Sequence, residues 1–568
     1  MTPHEQGAVP EEARAQGNEN HDALSDASEK AAKRFLRSVV LIDNEAYMGQ
    51  VGEEKDHDID AARVTAAFSD EKISCAVFRP VGLNVEQIAE TGVNLVQRTD
   101  AAILDWQLGG NEHEDRSEAC KAILKGVLEE DTKAGNPLRL IVIYTGDKVT
   151  NELLSLIQPV LDGYGFTSDK ENSLFRKDNM RILVRQKQAA KPEVIEGLEP
   201  ETEIAPDKLP ELVVTEFSKL ANGLLSSAAL HAVSAVRENA ASLLGVFHNG
   251  LDPAFILHAI LIPNFRDAHE FLVNLIADEC RVLIENDQGL SDLIDKDWVR
   301  QWLQKRFREN YPLSCDYCGG TGHREEGVGC PYCEGEGNRP VSSDELSALL
   351  DQENAQLDKI PDQSLLRLIY KDKGHDGDGL SFGRLVSLGN EAYSSKRKFI
   401  CPANPVLTQG TLISLYENDD LPKNFYLCVM PRCDAERVAK KQYFPFISLH
   451  KAENWKEASL TINCMVRGEA EIEFKSVYLK FPKQVSWKKL KIIQFKGNKS
   501  SPIMATKEKG RYIFESLGKN GKDNLRYEWL GTLRSDLTSK LVSELLPGLS
   551  RIGIDEFEWQ RRIKENSR

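Results

Sequence analysis

Between residues 34 and about 187, short apolar runs alternate with amphipathic segments. "SVVLIDNEA", "ISCAVFRP", "AAILDWQLGG", "LRLIVIYTGD" and "RILVRQK" are apolar for three to five residues and then turn polar. "DIDAARVTAAFSD" and "RSEACKAILKGVLEED", between them, space their apolar residues three or four apart. Short buried strands separated by helices predict a parallel sheet with helices on both faces. The pattern then changes. Residues 188–209 are rich in proline and acid and read as a linker. From 210 to 310 the period is helical, as in "ELVVTEFSKLANGLLSSAALHAVSAVRENAASLLGVF" and "PNFRDAHEFLVNLIADECRVLIEN". A cysteine-rich insert fills 311–340, and a helical connector is expected over 341–400. From 401 to 515, strand-like runs such as "NFYLCVMPRCD", "ASLTINCMV" and "KLKIIQFKG" predict a β-rich domain. Residues 516–568 are expected to return to helix, and 1–33 to form a disordered tail. The fold class is therefore multidomain: an N-terminal α/β sheet, a central α-helical region with an insert, and a C-terminal α+β region.

Composition narrows the function. A chain of 568 residues exceeds one ordinary core, and three to five domains are expected. Its net charge of −16 argues against wholesale nucleic-acid binding but leaves room for a local basic patch. No run of about 18 apolar residues suggests a membrane span. The first residues show no signal-peptide pattern, so a cytoplasmic location is expected. With 11 cysteines in that setting, thiols are expected free or on metal.

"CDYCGGTGHREEGVGCPYCEGEG", residues 315–337, holds C-x-x-C-x-G-x-G twice. Cys315 and Cys318 form one pair, Cys330 and Cys333 the other. Four thiolates make a closed tetrahedral site, so the expected cofactor is structural Zn2+. The alternative is two unrelated redox pairs. His323 is surplus to four cysteines and is expected to be exposed. The phrase resembles half of the zinc region of J-domain co-chaperones. The chain has no HPD tripeptide, no Gly/Phe-rich linker and only two of four repeats, so chaperone activity does not follow.

"VVLIDNE", "AAILDWQL" and "LIVIYTG" end strands with an acidic cluster, a central Asp and a Thr. This order resembles the receiver domain of two-component response regulators, over about 150 residues. The plainer reading is a flavodoxin-like parallel sheet with ordinary acids at its strand ends. The resemblance implies that Asp105 is the phosphoacceptor, Asp43 a metal-site acid and Thr145 the switch hydroxyl. It implies Mg2+ as a further cofactor, with the backbone carbonyl of Gln107 as a ligand. Asn44 stands where the family has a second acid, and an amide weakens hard-cation binding. Glu45 compensates only if it reaches inward. Lys187 is the candidate pocket lysine, with Lys148 its rival. An insertion is expected around "MGQVGEEKDHD".

Other signals carry less. Lys475 to Lys499 holds eight lysines and no acid, interleaved with Tyr478, Phe481, Trp487 and Phe495. It reads as a lysine-guarded edge strand, or as a surface for nucleic acid or an acidic partner. Cys428 and Cys433, near Asp434, read as buried strand cysteines. "DKGHDGDGLSF" lacks the Glu of a calcium loop, and no GxSxG, Walker A or HExxH occurs. "YLCVMPRCD" and "RYEWLGTL…LSRIGIDEFEWQRR", with the receiver-like start, resemble response-receiver proteins of bacterial conflict systems. That resemblance implies an anti-phage signalling protein that accepts a phosphoryl group or docks a histidine-kinase-like or GHKL ATPase partner. The alternative is an effector enzyme with a catalytic site in residues 400–568, the receiver being a decoy.

Overall fold

In the computed structural model, five parallel strands lie in the order β2-β1-β3-β4-β7. They are β1 (Ser38–Ile42), β2 (Ser74–Phe78), β3 (Ala101–Leu104), β4 (Arg139–Thr145) and β7 (Met180–Lys187). The structure describes residues 26–545 except 47–58, 109–115, 178, 189–202, 262–264, 294–312, 315–337, 340–377, 394–403, 417–420, 437, 439–440, 455–456, 468–471, 484, 486–489, 498–501 and 519–523. These five strands are the five apolar runs of the sequence. β3 and β4 are buried at every position, because helices cover both faces of the sheet. A hairpin of β5 (Thr167–Asp169) and β6 (Leu174–Lys177) extends the sheet, with β6 antiparallel to β7.

One face is covered by α3 (Val85–Gln97), α4 (Glu118–Ala134) and α5 (Asn151–Leu161), which bury Ile88, Val96, Ile123, Val127 and Ile157. Gly92 permits the close approach of α3 to α4: a Cβ there would lie 2.5 Å from Ile123 Cδ1. On the other face lie α1 (residues 26–35), α2 (Ala61–Asp70), α6 (Leu209–Leu220) and α7 (Leu224–Glu238). Their core residues include Ala31, Ala32, Val64, Phe68, Val213, Phe217 and Leu230.

This arrangement corrects three boundaries. The expected tail to residue 33 ends in α1, whose Ala31 and Ala32 are fully buried. The expected linker is not free over its last residues. β8 (Glu203–Ile204) pairs with Gln186 and Lys187, and the Tyr144 hydroxyl donates to the Ile204 carbonyl at 2.7 Å. The helices after 209 do not start a separate domain. Phe217 and Val213 cover a sheet face that would otherwise be wet, so the compact unit runs through residue 241 and takes in 280–362. Within that unit, β9 (Leu313–Ser314) pairs antiparallel with β10 (Asn338–Arg339).

The second unit comprises residues 242–279 and 363–568. It holds a ten-stranded antiparallel sheet made of β11 (Leu388–Glu391), β12 (Thr411–Leu415), β13 (Phe425–Cys428), β14 (Lys441–Lys451), β15 (Leu460–Arg467), β16 (Ile472–Lys480), β17 (Lys491–Lys496), β18 (Thr506–Glu508), β19 (Arg511–Glu515) and β20 (Arg526–Leu533). The sheet curls until Phe495 of β17 bridges to Ser516, the residue after β19. Aromatic side chains fill the curl, among them Phe444, Phe446, Phe495, Tyr527 and Trp529. The helix Ser535–Leu545 contributes Val542 and Leu545 to a second cluster with strand residues such as Leu412, Leu427 and Leu530.

"RYEWLGTL" is not helical: β20 lies between β12 and β19, where a pleated, buried position suits its aromatics. β11 is a strand within the expected helical connector, and pairs with β20. Cys433 lies in the short helix Arg432–Glu436, not in a strand, whereas Cys428 is buried in β13 and burial pushes its thiol up to about 12. β16 is not a free edge: it pairs with β15 along its length and with β14 at Leu479 and Lys480. Among the described residues, 240–261 meets the length and hydropathy of a membrane span, contrary to the sequence reading. It is not one continuous helix, because it breaks at 247–248 between Ala240–Val246 and Asp252–Leu261.

Candidate functional site

Four adjacent strands end at one edge of the parallel sheet, and each carries a polar residue there. Asp43 follows β1, Asp105 follows β3, and Thr145 and Lys187 are the last residues of β4 and β7. All four are buried. Strand order explains their convergence: β1, β3, β4 and β7 are consecutive neighbours running the same way, so their carboxyl ends share one crevice. The ladder continues into the site, since the Asp105 N–H donates to the Ile42 carbonyl at 2.8 Å.

Lys187 binds both acids. Its Nζ donates to Asp43 Oδ2 at 2.8 Å and lies 3.2 Å from Asp105 Oδ1. Burial alone pulls the Lys187 ammonium down, but Asp105 and Asp43 outweigh it and raise its pKa. Burial drives the Asp105 carboxyl the other way, and Asp43 and Glu45 add to the rise. Lys187 opposes it, and the result is about 7. One ammonium thus faces two buried carboxylates, and the charge balance is short by one.

The rim is amide and backbone. The Glu45 N–H donates to Asp43 Oδ1 at 2.7 Å. Asn44 is oriented by its surroundings: with its oxygen inward, three oxygens would face one another. With its nitrogen inward, Nδ2 donates to Asp105 Oδ2 at 3.1 Å and to the Gln107 carbonyl at 2.7 Å. The Gln107 side chain turns away and donates to Asp147 Oδ2 at 2.7 Å. Thr145 Oγ1 accepts the Asp147 N–H at 3.1 Å.

The structure therefore brings together Asp43, Asn44, Asp105, the Gln107 carbonyl and Lys187, with Thr145 on the adjoining strand. Glu45 reaches the site through its backbone N–H, and its half-buried carboxylate acts on Asp105 only through its charge. Lys148 is exposed on the loop after β4. Two contributors escaped the sequence reading. Arg79, just past β2, donates from Nε to the Asn44 carbonyl at 3.1 Å, and Asp147 links Thr145 to Gln107. Both follow strand ends at the same edge, which was the available signal.

The expected zinc ligands Cys315, Cys318, Cys330 and Cys333, with His323, lie outside the described residues, as does the expected insertion over 48–58. β9 and β10 bring the two ends of the cysteine segment together. Among the described residues, no group of His, Cys, Asp and Glu has the geometry of a metal cluster. Of the basic stretch, Lys475 and Lys480 pair with Glu473 and Glu457, while Trp487, Lys488 and Lys489 lie outside the described residues.

Compared with known families, residues 35–192 match the response receiver domain. No curated protein and no solved structure matches the chain. A receiver domain supports a signalling, phosphoryl-accepting role, and such domains commonly meet protein partners such as kinases.

Proposed function

We propose that this protein is a signalling component whose α/β unit is a receiver switch. A kinase-like partner, of the histidine-kinase or GHKL ATPase class, docks on it, and Asp105 is the group that partner acts on. The convergence of Asp43, Asp105, Thr145 and Lys187 at one strand edge carries this reading. In the transfer, an Asp105 carboxylate oxygen forms the new bond to phosphorus while the donor's bond to phosphorus breaks. The product brings negative charge beside Lys187, which can follow it and leave Asp43. Such a local charge change biases a neighbouring docking surface.

The wider setting belongs to the same proposal: a bacterial defence system, a cytoplasmic location, and a structural zinc on Cys315, Cys318, Cys330 and Cys333. The strand pair β9–β10 supports a closed clip there. The partner is a protein rather than nucleic acid, in keeping with a net charge of −16.

The effector-enzyme alternative has its best cluster in the second unit. Arg511 Nη1 donates to Glu528 Oε1 and Oε2 at 2.8 and 2.9 Å and to the Met465 carbonyl at 3.0 Å. The Tyr393 hydroxyl donates to the same Glu528. These groups satisfy one another inside the sheet, which is the behaviour of a structural ion pair.

The test is intact-mass measurement after exposure to a small phosphodonor and, separately, a binding measurement with a candidate histidine-kinase-like or GHKL ATPase partner. A phosphoryl adduct, or partner binding, that disappears in Asp105→Asn is expected. A chain that gains no adduct and binds its partner equally well as Asp105→Asn would overturn the reading.

A further inference from the structure

The pocket's oxygens are already taken by the chain itself. Asp43 Oδ1 accepts from the Glu45 N–H and Oδ2 from Lys187. Asp105 Oδ1 faces Lys187 at 3.2 Å, and Oδ2 accepts from Asn44. The Gln107 carbonyl accepts the other Asn44 N–H. The two carboxylates and this carbonyl are the groups a receiver pocket offers a divalent cation, and each of their five oxygens has a protein donor.

Resting on the receiver reading, we propose that this pocket works without Mg2+: the Asn44 amide and the Lys187 ammonium together occupy the cation's place. The chemistry of residue 44 decides it. A carboxylate there would set its oxygens against Asp105 Oδ2 and the Gln107 carbonyl, and a cation would relieve the repulsion. An amide brings two N–H donors instead and bonds both oxygens directly. A cation entering now must break both bonds and shed its own water, with one acid fewer to hold it. Mg2+ gives up water reluctantly and favours carboxylate oxygen, so the exchange is unfavourable. Arg79 adds to the lock. Its bond to the Asn44 carbonyl fixes the backbone from which the amide reaches inward. Arg79 and Asn44 are thus positioning residues for Asp105.

The experiment is Mg2+ titration calorimetry on the full chain, using wild type, Asn44→Asp, and Asn44→Asp combined with Asp43→Asn. Wild type should show no saturable binding. Asn44→Asp should gain one saturable site, and Asp43→Asn should abolish it. As a check that needs no variant to fold, the wild-type Tm should not move when Mg2+ is added. Saturable wild-type binding that is lost when Asp43→Asn is made alone, as a fourth protein, would overturn the proposal, because the carboxamide would then be turning its oxygen to the cation. Absence of binding in both wild type and a folded Asn44→Asp would also overturn it, since residue 44 would not be the determinant. These outcomes are independent of phosphoryl transfer and partner binding. Failure of the receiver reading leaves the calorimetry unchanged, and a cation-binding wild type leaves the receiver reading intact.

Discussion

Lys187 donates to Asp43 at 2.8 Å across 144 residues of sequence, with both side chains almost wholly buried. Removing the cation leaves two buried carboxylates unpaired. Lys187→Met should therefore cost about 3–5 kcal/mol, the usual penalty for breaking a buried pair from one side. The loss should be greatest at alkaline pH and shrink as the pH falls, because the orphaned carboxyls can then take up protons. Urea unfolding across a pH series measures this. A Lys187→Met chain as stable as wild type at pH 8 would show that the ammonium does not hold the pocket together.

A second buried pair sits at the opposite end of the sheet. Arg139, the first residue of β4, makes a two-pronged bond to Asp131 of α4 at 2.8 and 2.9 Å, and also donates to the Val96 carbonyl. Arg139→Met should destabilise the α/β unit by about 3–5 kcal/mol. It should leave Asp105 chemistry and partner binding intact wherever the chain remains folded. Loss of partner binding in folded protein would contradict the separation of the two ends.

His231 gives the unit a pH dependence of its own. Burial holds its pKa below the usual value, and the neighbouring Arg34 pushes the same way, against the opposing pull of Asp287, Glu238 and Asp292. Arg34 Nη1 lies 3.2 Å from His231 Nδ1, which suits a neutral ring accepting the bond. The folded state therefore binds fewer protons at this site than the unfolded state. Its contribution is complete above the unfolded pKa of about 6.5 and declines as the pH falls through and below it. Thermal unfolding at pH 5.5 and 7.5 should show a smaller difference for His231→Gln than for wild type. Equal differences would exclude the ring as the source.

The packing of α6 sets a minimum folding unit. Phe217→Ala should cost about 3–5 kcal/mol by leaving a cavity against the sheet. A fragment of residues 26–241 should accordingly be more stable than one of 26–192, which exposes the face that Val213 and Phe217 cover. Comparative denaturation of the two fragments decides this, and equal stability would return the unit's boundary to the end of the family match.

The cysteine clip makes a separate prediction. Purified protein should carry one zinc per chain at Cys315, Cys318, Cys330 and Cys333, and Cys330→Ser should lose it. Elemental analysis finding no zinc in wild type would leave two redox pairs as the explanation.

The five parallel strands were already legible as apolar runs along the chain. β1, β3 and β4 are covered on both faces, so each reads as a nearly continuous apolar run with a candidate polar residue at its end. Asp43, Asp105 and Thr145 end apolar runs, whereas Lys187 follows Arg185 and Gln186 at the end of β7. Three things were left to the tertiary structure. Strand order chose Lys187 over Lys148, because β7 lies beside β4 whereas Lys148 sits on an exposed loop. Packing assigned α1, α6 and α7 to the α/β unit, since an amphipathic period shows that a face is buried but not against what. It also made "RYEWLGTL" a strand, because aromatic-rich segments take their conformation from the sheet that receives them. Finally, only geometry gave Asn44 its role. In sequence it is a missing acid; in the folded pocket its two N–H groups meet the oxygens of Asp105 and Gln107.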